Sequence, residues 1–174
     1  FLNYTKGFNA SISDYNFDHL RARLQQAVNL KSLGFFNYNL IGGTFFRNKT
    51  LSFIDFKHFN GNQTHVNTTG NYLSNFKNLG YYNYSTSNNF FEYHMELNFK
   101  GYALGKIPYM NKLGFNLVIG WHGISLDGGN PYSEYNVGIA NLGWKKYRFL
   151  RVDYVRLFAS GEVDNALMSV SYTH

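Results

Sequence analysis

The chain contains no cysteine, which removes a disulfide framework, a thiolate metal site and a thiol nucleophile together. It also lacks any run of about eighteen apolar residues, the length a helix needs to cross a bilayer, so no transmembrane helix is expected. Charge is sparse, at 15% of residues. The net charge is +6, yet the basic residues are scattered and only Lys145-Lys146-Tyr147-Arg148 forms a cluster, which excludes nucleic acid as an expected partner. The six histidines fall into no HxH or HExxH spacing, and Gly42-Gly43 and Gly128-Gly129 match no phosphate-binding loop.

What is present is aromatic and strongly patterned. Phe, Trp and Tyr make up 20% of the chain, a skew toward strand formers with amphipathic rings. From Phe91 to Lys100 a large apolar residue alternates with a polar one without interruption. Only a strand with one apolar and one wet face reads this way. In water such a strand turns its polar face outward; in a membrane barrel the apolar face meets lipid and the polar face lines the lumen. Later segments repeat the pattern. Leu113, Phe115, Leu117, Ile119 and Trp121 share one face against Gly114, Asn116, Gly120 and His122, and Leu150, Val152 and Tyr154 oppose Arg151 and Asp153.

Residues 18–30 carry Leu20, Leu24 and Val28 at helical spacing, but the even positions from Leu20 to Leu30 are apolar except Gln26, and the segment reads as a strand among strands. Eight strands are predicted, at roughly 1–8, 15–30, 33–48, 89–103, 112–124, 131–142, 146–158 and 163–174. Residues 51–59 are expected to extend a hairpin, and the Asn-, Ser- and Thr-rich stretch that follows reads as a loop. The expected organisation is a single all-β unit, an antiparallel transmembrane β-barrel segment over 1–174, with a long polar extracellular loop at about 49–88. Eight strands either close as a small barrel or form the C-terminal half of a sixteen-stranded one. The chain begins at Phe1, inside a segment that itself looks like a strand, and further sequence is expected upstream.

The barrel reading assigns each face. Arg21, Arg23, Glu92, His94, Glu96, Lys100, Glu134, Arg151 and Asp153 are expected to form a polar network in the lumen, neutralising one another. Phe91, Met95, Leu97, Phe115, Leu117, Ile119, Leu150, Val152 and Val170 are expected to face lipid. His94, His122 and Ser125 are the residues a lipid hydrolase would draw on, but no motif joins them. No catalytic residue, metal or cofactor is assigned.

Several phrases resemble the C-terminal barrel of a Bacteroidota outer-membrane family of unknown function, often fused to a carboxypeptidase-regulatory-like domain. They are Tyr4-Thr5-Lys6-Gly7-Phe8, Phe59-Asn60-Gly61-Asn62, Phe99-Lys100-Gly101-Tyr102 leading to Lys106-Ile107-Pro108, Tyr132-Ser133-Glu134 through Val137-Gly138-Ile139-Ala140-Asn141, and Phe149-Leu150-Arg151-Val152-Asp153-Tyr154. More distantly, the order of the last strands is similar to the BamA-like superfamily of sixteen-stranded barrels. The loop of that superfamily carries a Val-Arg-Gly motif, whereas here Val66-Asn67-Thr68-Thr69-Gly70 lacks the Arg that would reach a lumen acid. The resemblance implies a bacterial outer-membrane location, outer-membrane lipid and other outer-membrane or periplasmic subunits as partners, and a role as a transport or assembly scaffold. The alternatives are a small closed barrel with lipid-modifying hydrolase activity and a soluble barrel that binds a lipophile.

Overall fold

Wherever the sequence alternates with period two, the chain is extended. A computed structural model describes residues 1–7, 17–46, 51–62, 64, 66–67, 72–144, 147–159 and 162–172. Its strands are β1 (Leu2–Gly7), β2 (Phe17–Asn29), β3 (Phe35–Phe46), β4 (Val66–Asn67), β5 (Phe90–Asn98), β6 (Asn116–Leu126), β7 (Tyr132–Trp144), β8 (Tyr147–Ala159) and β9 (Glu162–Tyr172). All nine lie in one sheet of order β1-β2-β3-β5-β6-β7-β8-β9-β4. The eight long strands pair antiparallel with their neighbours. Only β4 runs parallel, with Val66 beside Val170.

The protein is therefore all-β and antiparallel in its main body, but the sheet is open. Strands β1 and β9 do not pair with each other, so the eight expected strands do not close on themselves. The six residues of β1 pair on one side only, with β2, and the far edge of β9 carries β4 instead.

Strand β2 settles the one helical ambiguity. It pairs along its length with β3 and over its first half with β1, and cross-strand partners on both sides outweigh the helix propensity of its residues. Gln26, the misfit in its apolar row, accepts a hydrogen bond from the Tyr38 hydroxyl directly opposite, at 2.7 Å.

Two boundaries differ from expectation. Strand β5 stops at Asn98 although the alternation runs on to Lys100. Lys100 adopts φ 47° and its N–H donates to Asn98 Oδ1 at 2.9 Å, so the chain turns away. Before β6 there is a short helix α1 (Met110–Leu113), ended by Gly114 at φ 64°, a left-handed cap that glycine adopts without steric cost. Leu113 therefore sits in that helix, and Phe115 precedes the strand.

Among the described residues, the segment 51–89 carries short 3-10 turns at Phe53–Asp55 and Tyr72–Ser74 and the two-residue strand β4. It forms one isolated bridge, Lys57 with Thr86, rather than a hairpin extension. What positions the site is where this segment lies: it folds across one face of the sheet. Phe59, Phe76 and Leu79 pack with Ile41, Phe45, Phe90, Ile124 and Tyr132 into a buried apolar cluster. We call the roofed side of the sheet the inner face and the opposite side the outer face.

Candidate functional site

Beside that apolar cluster, the inner face is polar. Alternate positions of adjacent strands project the same way, so Glu92, His94 and Glu96 of β5 join His122 of β6, Glu134 and Asn136 of β7, and Arg151 and Asp153 of β8. All are buried, and His94, His122, Glu134 and Asp153 are 0% exposed. Register places His94 directly opposite His122.

A continuous polar chain crosses the four strands. Glu92 Oε1 lies 3.0 Å from His94 Nε2, His94 Nδ1 lies 3.0 Å from His122 Nδ1, and His122 Nε2 lies 3.1 Å from Asn136 Oδ1. Asn136 Nδ2 then donates to Asp153 Oδ1 at 2.8 Å. The Arg151 guanidinium donates to Asp153 at 2.9 Å and meets Glu96 at 2.8 Å. Two glycines make room for it. A β-carbon on Gly120 would strike the Asn136 amide, and one on Gly138 would strike the Asp153 carboxylate. The Arg151 charge is paired on both sides, by Glu96 and Asp153, the condition under which burial is tolerated.

The roof closes on this chain through named contacts. Lys57 Nζ meets Glu92 at 3.1 Å. The Glu134 carboxylate accepts the backbone N–H groups of Lys77 at 2.6 Å and Asn78 at 3.1 Å, and the Tyr132 hydroxyl at 2.9 Å. The Tyr72 hydroxyl donates to Asp153. Ser74 Oγ accepts from Asn39 Nδ2 at 2.9 Å. Phe76, wholly buried, sets its ring 4.7 Å from that of His94. Lys77 lies over the Tyr72 ring at 4.0 Å, and its Nζ donates to the Asn75 carbonyl at 3.3 Å. Burial holds both Lys57 and Lys77 below the usual lysine range, against the opposing pull of Glu92 on the first and Glu134 on the second.

Of the residues expected in a polar network, Glu92, His94, Glu96, Glu134, Arg151 and Asp153 come together. Arg21 and Arg23 stand apart on β2, half-buried. Arg23 reaches Asn39 Oδ1 at 2.8 Å, Gln25 Oε1 at 2.6 Å and Ser74 Oγ at 3.4 Å. Lys100 is not part of the network: it is exposed in the turn after β5, over the Phe35 ring at 3.9 Å. Ser125 lies exposed on the face of β6 opposite to His122, so the two do not meet.

The expected apolar row occupies the outer face. Phe91 and Ile119 are exposed, and Met95, Leu97, Leu117, Leu150 and Val152 are half-buried. Phe115 is half-buried before β6, and the Val170 side chain lies outside the described residues. Trp121 and Tyr135, opposite each other on β6 and β7, stack at 5.6 Å with Tyr93 and Phe158 on either side.

Sequence reasoning missed the roof itself, Lys57, Tyr72, Ser74, Phe76 and Lys77, and the bridging amides Asn39 and Asn136. The signal that points to the roof is the set Phe59, Phe76 and Leu79, large apolar residues in an otherwise polar tract. Among the described residues no group of three or more His, Asp or Glu is arranged to hold a metal ion, and no helix is long and apolar enough to cross a membrane.

An open antiparallel sheet with a charged, self-roofed face is thus the class of domain these residues build. The chain belongs to a family of unknown function, DUF5686, whose C-terminal domain it matches over residues 1–139. Arg151 and Asp153 fall beyond the matched stretch. No curated protein and no solved structure is significantly similar to the chain.

Proposed function

We propose that this domain is part of an integral outer-membrane β-barrel that serves as a transport or assembly scaffold and performs no chemistry of its own. One observation carries the reading: beside its apolar cluster, the sheet buries charged side chains on one face and displays apolar ones on the other. His94, His122, Glu134 and Asp153 are fully buried, while Ile119 is 43% and Tyr154 is 55% exposed. Water gives no reason to display such a face; hydrocarbon does, because barrel strands alternate apolar outward and polar inward. The stacked Trp121 and Tyr135, with Tyr93 and Phe158, suit the interfacial belt where amphipathic rings collect.

The open edges extend the proposal. Hydrocarbon does not tolerate unpaired strand edges, and β1 presents one. Further strands pairing at β1 and β9 would close a wider barrel, of which this sheet is the C-terminal half, consistent with the distant likeness to sixteen-stranded barrels.

Membrane fractionation tests this. The protein should stay with the outer-membrane fraction through alkaline carbonate washing, need detergent for release, and migrate differently in electrophoresis before and after boiling. Release into the aqueous phase without detergent overturns the reading.

A further inference from the structure

Beside the polar chain, between β2 and the roof, lies a cavity of about 380 Å³ lined by His19, Arg21, Arg23, Lys57, His58 and Asp55, with Glu92 among its remaining walls. Its charges are not balanced as they are around Arg151. That guanidinium has Glu96 and Asp153. Among the described residues Arg23 is met by neutral acceptors, Asn39, Gln25 and Ser74. Arg21, two residues earlier on the same face of β2, has its Nε buried, and neither it nor His19 Nε2 has a hydrogen-bond partner among the described residues. Glu92 is committed to Lys57 and His94. Asp55 forms no ion pair within 4.0 Å among the described residues.

Two half-buried guanidinium groups stand at the wall of this cavity, and among the described residues neither forms an ion pair within 4.0 Å, so both keep charge to offer an anion that enters it. Their forked donors match the paired oxygens of phosphate or a phosphomonoester. The volume falls in the range that holds a small molecule rather than a lone ion. Ile41, Phe45 and Phe56 supply an apolar wall. Lys57 belongs to the same group of cations: burial first depresses its basicity, Glu92 opposes that, and Arg21 and Arg23 lie near enough to add to the depression.

We infer that this cavity is an oxyanion-binding site, with Arg21 and Arg23 gripping the phosphate of a phosphorylated small molecule or lipid headgroup. The inference stands on the cavity alone and does not depend on the membrane reading.

Titration calorimetry of the full chain in neutral detergent, with inorganic phosphate in chloride buffer, tests it. Saturable binding is expected, weakened about tenfold or more by Arg21→Gln, the loss of charged hydrogen bonds. Arg21→Lys should fall in between, and Arg156→Gln, outside the cavity, should bind as the parent does. A second arm compares phosphatidic acid with phosphatidylcholine in mixed micelles by native mass spectrometry. Phosphate binding that depends on Arg21 supports a soluble ligand; retention of phosphatidic acid alone, again dependent on Arg21, supports a headgroup. Absence of saturable binding in both arms overturns the site, as does undiminished binding by Arg21→Gln. If Arg21→Gln does not fold, the unmodified chain and Arg21→Lys decide between these outcomes.

Discussion

His94 and His122 face each other nitrogen to nitrogen, Nδ1 to Nδ1 at 3.0 Å, and their neighbours fix how many protons they share. Asn136 donates its amide to Asp153, so its oxygen faces His122 Nε2, which must carry hydrogen. Three contacts then run from Glu92 to Asn136, each needing one proton to be a hydrogen bond. Two neutral imidazoles and a carboxylate hold only two. A third proton would complete the chain, but Lys57 at 3.1 Å already balances the Glu92 carboxylate, so adding it would give the buried group a net positive charge.

Glu92→Gln should cost about 1–3 kcal/mol, because its amide can donate to His94 and its carbonyl can accept from Lys57, while the counter-charge to Lys57 is lost. Glu92→Ala strands Lys57 and His94 and should cost about 3–5 kcal/mol, as breaking a buried pair does. Denaturant unfolding of both variants measures the contrast. Equal losses would show that the hydrogen bonds of the Glu92 side chain contribute nothing beyond its charge.

Glu134→Gln should loosen the roof. Its amide NH₂ would face donors where the carboxylate now accepts from Lys77, Asn78 and Tyr132, at a cost of about 1–3 kcal/mol. Limited proteolysis should cut the variant within residues 60–89 under conditions that leave the parent whole. Resistance equal to that of the parent would refute the anchoring role.

Lys77 gives a pH dependence of known sign. Burial depresses its native pKa below 10.5, so between the depressed value and 10.5 the unfolded chain holds a proton that the folded chain has released. Stability contributed by this group rises with pH across that window, by at most about 1.4 kcal/mol per pH unit. Lys77→Met should remove that part of the slope. Unfolding curves measured at several alkaline pH values compare the two, and identical slopes would exclude Lys77 as the source.

Ile119→Arg distinguishes lipid from water at the outer face. At mid-membrane the charge should cost about 2–4 kcal/mol in a bilayer folding titration. On a water-exposed strand the change would stay within about 0.5 kcal/mol. The smaller figure would remove hydrocarbon from the surroundings of Ile119.

Strand identity and facing were legible because they are local: an alternating row fixes which side chains share a side, and Glu92, His94 and Glu96 followed from it. The end of β5 was not, since Lys100 continues the pattern while its own backbone turns on the Asn98 side chain. Leu113 and Phe115 were misplaced for the same reason, a short helix hidden inside an alternating run. The roof was illegible because its affinity for the sheet resides in few side chains. Phe59, Phe76 and Leu79 are spread through Asn-rich sequence, and period-two arguments do not reach a segment that is neither strand nor helix. Asn39 and Asn136 read as ordinary polar strand residues; their bridging roles exist only once four strands and the roof are assembled.

Because Glu134 is held by amide hydrogens of the peptide chain itself, the grip is indifferent to which side chains stand at positions 77 and 78. A substitution at either position leaves those two amide hydrogens in place, whatever it does to the contacts of the Lys77 side chain with Tyr72 and Asn75. Proline is the exception: lacking the hydrogen, it would unfasten that point wherever it were introduced.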